Sequence, residues 1–116
     1  MLRITHGRGF ALVFANGWTV SIQFGPGNYC ENRNADYNQS ATVGEKGSRD
    51  AEIAAWPGPS NGRDTMPMVS FGGDTVKGYC NADEVAAFIA LVAGLPSGDC
   101  KNFAEQYDSA TQHIQR

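Results

Sequence analysis

The chain has few charged side chains and no excess of positive ones. Asp, Glu, Lys and Arg make up 18% of its 116 residues, against about 25% in an average globular protein. The formal net charge is −3, whereas a dedicated nucleic-acid binder usually shows a basic patch and a pI above about 9. The composition therefore argues against dedicated nucleic-acid binding, and the polarity of the chain comes mainly from Gly, Asn, Ser and Thr.

Long apolar runs and paired cysteine spacings are also missing. No apolar run approaches the ~20 residues of a membrane span, and MLRITHGRGF lacks the apolar core of a secretory signal. Cys30, Cys80 and Cys100 form an odd set without CxxC spacing, which is typical of free thiols in a reducing compartment. We therefore expect a cytoplasmic protein with no membrane association, no metal site and no cofactor.

Most catalytic signatures are also absent from the sequence. It contains no HExxH helix and no catalytic cysteine motif, and the GxSxG spacing at Gly58-Pro59-Ser60-Asn61-Gly62 lies in a turn region between two strand candidates. His6, beside Gly7 and Arg8, is a candidate acid or base, but a lone histidine at a strand end is more often a surface hydrogen-bonder. Asp83 and Glu84 are better explained as favourable charges at a helix start. We predict that the protein is not an enzyme.

What the sequence does contain is a strong hairpin signal over residues 10–24, FALVFANGWTVSIQF. Asn16-Gly17 between two alternating apolar runs predicts a two-residue turn, with Val13 opposite Val20 on a surface of apolar or small residues. The other surface is half apolar and half polar, carrying Phe10, Leu12, Phe14, Thr19, Ser21 and Gln23. From this mixed surface we predict that both faces of the sheet are covered and that the protein is a homo-oligomer.

Residues 25–50, GPGNYCENRNADYNQSATVGEKGSRD, form an unusually long polar loop. Loops beyond ~12–15 residues in compact domains are usually functional or disordered. Glycine lets backbone N–H groups approach an anion, while Tyr and Arg side chains stack on a base and hold a phosphate. A plain surface loop, in which the glycines only release the chain from the sheet, is the alternative. The predicted ligand-binding residues are Asn28, Tyr29, Arg33, Tyr37, Arg49 and Arg8.

The rest of the chain predicts further strands and then helices. AEIAAW at 51–56 and MVSF at 68–71 indicate a second hairpin over residues 51–71. Asn81 followed by Glu84 forms a capping-box pattern that opens a helix over residues 81–95, and a narrower apolar stripe indicates a second helix over 100–113. With residues 1–24 as the N-terminal strands and hairpin, the prediction is a single α+β domain over 1–116. It is an antiparallel β-meander of about five strands followed by one or two C-terminal helices packed on the sheet.

Three segments together carry a resemblance: GFALVFANGWTVSIQFGPGNYCENR, AEIAAW and DTVKGYCNADEVAAFIALVAGLP. The chain resembles small accessory proteins of tailed bacteriophages over most of its length up to Pro96. The resemblance implies a counter-defence protein acting in the host cytoplasm. Such proteins sequester nucleotide immune signals, as inhibitors of Thoeris and CBASS do, or dock on a defence protein, as anti-CRISPRs do.

Three functions are therefore expected. The first is a non-enzymatic sponge that captures a small nucleotide-derived signal with the 25–50 loop. The second is a protein-protein inhibitor that blocks a host defence enzyme through the apolar hairpin face or the last helix. The third is a small hydrolase of such a signal, with His6 as its acid or base.

Overall fold

The computed structural model describes residues 1–5, 8–35, 47–58, 68–97 and 100–115. Within these residues, five strands form one antiparallel sheet in sequential order, and two helices follow it. The strands are β1 (Leu2–Ile4), β2 (Gly9–Val13), β3 (Trp18–Gln23), β4 (Asp50–Pro57) and β5 (Lys77–Asn81), and the helices are α1 (Ala82–Ala93) and α2 (Phe103–Thr111). The predicted α+β fold, a five-stranded meander with C-terminal helices packed on it, is confirmed.

The turn between β2 and β3 has three residues rather than two. The backbone N–H of Phe14 donates to the Trp18 carbonyl at 2.8 Å, and the N–H of Gly17 donates to the Phe14 carbonyl at 3.0 Å. Gly17 has a φ of +93°, as expected for a type I turn that ends in a left-handed residue. The predicted two-residue turn is wrong, although the need for a positive φ at Gly17 is confirmed.

The longer turn changes which side chains share a face, because a one-residue shift in register moves every side chain to the other side. Val13 pairs with Thr19 rather than Val20. The helix-facing side of the hairpin is apolar and carries Phe10, Leu12, Trp18, Val20 and Ile22. The predicted mixed surface is therefore wrong. Both faces are nonetheless buried at the centre of the sheet, where Thr19 and Trp56 lie on the side away from the helices with 0% and 7% of their surface exposed.

Helix α1 begins where the sequence predicts and has both of its ends tied. Asn81 accepts from the N–H of Glu84, and the Glu84 carboxylate accepts from the N–H of Asn81, each at 2.9 Å. At the other end, the Asn16 side-chain amide donates to the carbonyls of Val92 and Leu95, both at 2.9 Å. The hairpin turn thus caps the C-terminus of α1, a role that a turn signal alone does not reveal.

The core lies between the sheet and the helices. Phe88 of α1 is fully buried and its ring centre lies 5.7 Å from Phe71, 5.9 Å from Phe103 and 6.1 Å from Tyr107. These four rings join α1 to α2, because Phe103 and Tyr107 are the two buried residues of α2. The predicted second helix is confirmed, with narrower limits than residues 100–113.

The predicted strand at 68–71 is wrong, and the fifth strand is Lys77–Asn81. Val69 donates one hydrogen bond to the Ala55 carbonyl at 2.9 Å, but the segment forms no ladder. Strand β5 pairs with β4 through an irregular register, and Tyr79 within it has a φ of +56°. Such a bulge breaks the alternation by which a strand is recognised in a sequence, so KGYCN gave no strand signal.

Candidate ligand-binding groove

An apolar groove of about 430 Å³ lies between α1 and the helix-facing side of β2 and β3. Its size falls within the range of about 300–1,000 Å³ that is typical of small-molecule sites. Arg49 and its neighbours Ser48 and Asp50 form its polar rim. The walls include Phe10, Ile22, Phe24, Ala51, Val85 and Ile89.

The groove exists because the helix layer is narrower than the sheet. Helix α1 packs on β3, β4 and β5 but does not reach β1 or β2. Val85 and Ile89 lie one helical turn apart on the flank of α1 and form one wall. Phe10 and Phe24 meet edge to face at 6.5 Å between ring centres and line the sheet side. The edge of the helix layer thus forms a step above β2 and β3, and the surfaces of this step are mainly apolar and aromatic.

A charged contact holds the rim of the groove. The Arg49 guanidinium Nε lies 2.9 Å from the Glu31 carboxylate, and the Arg49 backbone N–H donates to the same oxygen at 2.8 Å. The N–H of Glu31 in turn donates to the Asp50 side chain at 2.6 Å. The Arg49 side chain is 84% exposed, so it remains open to solvent while it is paired. These contacts join Glu31, in the first part of the 25–50 loop, to Arg49 and Asp50 at its end, beside the groove.

These hydrogen bonds lower the pKa of Glu31 below its ordinary value, first through the Arg49 backbone N–H and then through its side chain. The carboxylate contact is therefore present above the ordinary pKa of glutamate and is lost as the pH falls through the lowered pKa. Changing Arg49→Ala removes the side-chain donor, and we expect the pKa of Glu31 to rise. An NMR titration of the carboxyl carbon measures it, with Arg3→Ala as control. An unchanged pKa in Arg49→Ala would contradict the contact.

Two of the predicted binding residues, Tyr29 and Arg33, lie together away from the groove. The Arg33 guanidinium carbon lies 4.4 Å from the centre of the Tyr29 ring. Tyr29 and Tyr79 are 45% and 43% exposed and line a cleft of about 360 Å³ at the β5 edge. Gly78 lets Tyr29 pack closely against β5, because a Cβ at position 78 would lie 2.5 Å from the Tyr29 Cβ. Tyr29 thus lines a different cavity from Arg49, and Arg33 lies against the Tyr29 ring.

The remaining predicted residues have other positions. Asn28 accepts the Gly25 N–H at 3.2 Å through its side-chain oxygen and so stabilises the turn after β3. Arg8 packs against Gly25, where any Cβ would collide with the Arg8 side chain. Tyr37 and the candidate acid or base His6 lie outside the described residues.

The walls of the groove were missed by sequence reasoning. Val85 and Ile89 belong to the apolar stripe of α1, which predicts only that they lie on the sheet. Phe10 was assigned to a mixed surface by the wrong hairpin register. The available signal was the pair of apolar runs around the turn, and it yields the correct face only when the turn length is known.

Neither metal chemistry nor a known relative points to a function. Within the described ranges, no three or more His, Cys, Asp or Glu side chains form a group that could hold a metal ion. No helix in the same part of the chain is long and apolar enough to span a membrane. The sequence matches no protein-family model, and no significant similarity was found to a curated protein or to a solved structure. The functional argument therefore depends on the groove itself.

Proposed function

We propose that the protein is a non-enzymatic binding protein that holds a small ligand with a flat apolar part and an anionic group. The observation that carries this proposal is the groove of about 430 Å³ beside α1. Its mainly apolar walls suit the flat part, and Arg49 at the rim suits the anion. A nucleotide-derived immune signal, the ligand class that the phage-protein resemblance implies, has a flat aromatic base and an anionic phosphate.

The apolar walls alone support only weak binding. Burying about 150 Å² of apolar ligand surface contributes about 4 kcal/mol, and the loss of translational and rotational freedom on association offsets a gain of this size. Tighter capture needs the anion at Arg49 or a further surface that closes the open side of the groove. The Arg49 side chain can pair with a ligand because it is exposed and held by one carboxylate.

Capture rather than cleavage is proposed because the polar groups at the rim are engaged with one another. The Ser48 hydroxyl donates to the Asp50 carbonyl at 2.7 Å, and the Asp50 carboxylate accepts from Glu31. A serine nucleophile needs a base that accepts its proton, and the Ser48 hydroxyl is directed at a backbone carbonyl instead.

Thermal denaturation with a ligand panel tests the proposed function. The panel contains cyclic dinucleotides, ADP-ribose derivatives and the fluorescent probe anilinonaphthalene sulfonate, which combines an aromatic body with one anion. A ligand at 100 times its dissociation constant stabilises by about 2.7 kcal/mol, so the melting temperature should rise clearly. Recovery of the ligand intact after heating distinguishes capture from cleavage. No shift across the panel and no probe fluorescence would contradict the proposal.

Filling the groove should abolish binding. The change Ile89→Trp adds volume to a half-buried groove wall, so we expect at least a tenfold loss of affinity for the fluorescent probe. The matched control is Leu91→Trp, which enlarges a half-buried aliphatic residue of the same helix that faces a depression beside α2. Fluorescence titration measures both, and circular dichroism confirms that both variants fold. Equal affinity in Ile89→Trp and the wild-type chain would place the ligand elsewhere.

A second candidate function is inhibition of a host enzyme by direct docking. The observation that favours it is the exposure of Met1, Leu2 and Ile4, at 71%, 75% and 86% of their surfaces. Co-purification of a single host protein in stoichiometric amount would support it. The hydrolase expected from His6 gains no support, since His6 lies outside the described residues.

A further inference from the structure

The helix-facing side of β1 and β2 carries an apolar surface that α1 does not cover. This β1–β2 strip consists of Leu2, Ile4, Phe10 and Leu12, which are paired across the two strands as Leu2 with Leu12 and Ile4 with Phe10. Leu2 and Ile4 are largely exposed, and Phe10 and Leu12 are half-buried. Arg3 lies between them in sequence, so its side chain points to the other face. The strip itself contains no charged side chain.

The outward side of α1 is apolar as well. Its exposed residues include Ala82, Ala86, Ala90 and Ala93, and Asp83 at the N-terminal end is the one exposed charged residue of the helix. A helix on a protein surface normally carries polar and charged residues on its solvent side, and a helix that is apolar all round is normally buried. Helix α1 thus has the composition of a buried helix on both of its sides.

The two uncovered surfaces lie beside each other on the same side of the sheet. Helix α1 covers β3 to β5, and the strip begins where the helix layer ends. A two-fold axis along the edge of this step would place α1 of each copy on the β1–β2 strip of the other. Such an arrangement is closed and self-complementary, since each copy contributes the same two surfaces.

From these two surfaces we infer that the protein forms a two-fold dimer in which α1 of each copy packs on the β1–β2 strip of the other. A helix of 12 residues is about 18 Å long and about 10 Å wide. The two reciprocal contacts then bury roughly 800 Å² in total, and contact between the two α1 helices across the axis adds to this. The sum approaches the about 1,000 Å² that a specific interface needs.

The dimer also completes the groove, a consequence that rests on the proposed function. Phe10 belongs to both the strip and the groove, and Ala86 belongs to both the outward side of α1 and the groove. A partner helix on the strip therefore lies beside the open side of the groove and shields it from water. This closure supplies the additional surface that tight binding of a small ligand needs.

The molar mass in solution tests the dimer. Light scattering after size exclusion at about 100 µM chain should give twice the chain mass of 12.4 kDa. Ile4→Lys places a positive charge on the strip, and Ala90→Lys places one on the outward side of α1. Each variant should have the molar mass of a single chain. Both residues are exposed in the single chain, so the fold should remain intact by circular dichroism. Thr75→Lys, at an exposed position outside both surfaces, should leave the mass doubled.

A charge pair tests whether the two surfaces meet. Ile4→Lys combined with Ala90→Glu places opposite charges on strip and helix, and the doubled mass should return. A wild-type chain of single mass, or a doubled mass in all variants, would overturn the dimer. A single-mass chain that captures a host protein through Ile4 would overturn it in favour of the inhibitor. A single-mass chain that still binds the probe overturns only the dimer, and a dimer that binds no panel ligand overturns only the proposed function.

Discussion

Replacing Asn16 by Asp is expected to destabilise the folded chain by about 2–4 kcal/mol. The change preserves the size of the side chain and the turn, since Asp-Gly also forms hairpin turns. It removes the amide that donates to the carbonyls of Val92 and Leu95. It also places a carboxylate against the C-terminal end of α1, where the helix dipole is negative. Urea unfolding followed by tryptophan fluorescence measures the loss.

Two controls separate the causes of that loss. Asn16→Ala removes the donor without adding a charge, and it also removes the side-chain oxygen that accepts the Trp18 N–H at 3.0 Å. If the added charge dominates, the cost of Asn16→Ala should still be smaller than that of Asn16→Asp. Asn34→Asp makes the same chemical change at an exposed position, where we expect less than about 0.5 kcal/mol. If Asn16→Asp were as stable as the wild-type chain, Asn16 would not be the cap of α1.

Phe88→Ala is expected to cost about 3–5 kcal/mol. Phe88 is fully buried, and its ring touches those of Phe71, Phe103 and Tyr107. Its removal leaves a cavity at the point where α1 holds α2, so α2 should loosen first. Urea unfolding measures the global loss, and faster hydrogen exchange in residues 103–111 reports the local one.

Because Phe88→Ala is so destabilising, a less disruptive substitution at the same position is also needed. Domains are stable by about 5–15 kcal/mol, so Phe88→Ala brings the chain close to unfolding. Phe88→Leu keeps most of the apolar volume, so it should cost clearly less. Hydrogen exchange should again become faster in α2 before it does so in the rest of the chain. Equal protection of α2 in the wild-type chain and both variants would show that the ring cluster does not hold the second helix.

Local chemistry explains which elements could be predicted. The N-terminus of α1 depends on Asn81 and Glu84, which lie three positions apart and satisfy each other's backbone N–H groups. The positive φ of Gly17 depends on the turn alone. The length of that turn does not, because Asn-Gly is compatible with both two and three residues. In the observed three-residue turn, the Asn16 side chain bonds to the end of α1, 76 residues further along the chain. No pattern near the turn reports this distant contact.

The candidate site was less predictable than the fold. The predicted residues Tyr29 and Arg33 do come together, since they lie four positions apart in one turn region. Arg49 reaches the groove because β4 begins beside it. The groove walls come from β2, β3, β4 and α1, and their meeting depends on how far the helix layer extends over the sheet. No pattern within one segment reports that distance.

The low charge of the chain followed from its composition alone. The order of strands before helices and the capped start of α1 followed from local patterns, because each element is recognised within a short segment of the chain. The hairpin register, the irregular fifth strand and the groove were decided by tertiary structure. A turn, a bulge or a gap in a layer is selected by contacts between segments distant in the chain. Their energies exceed the small local preferences that a sequence pattern displays.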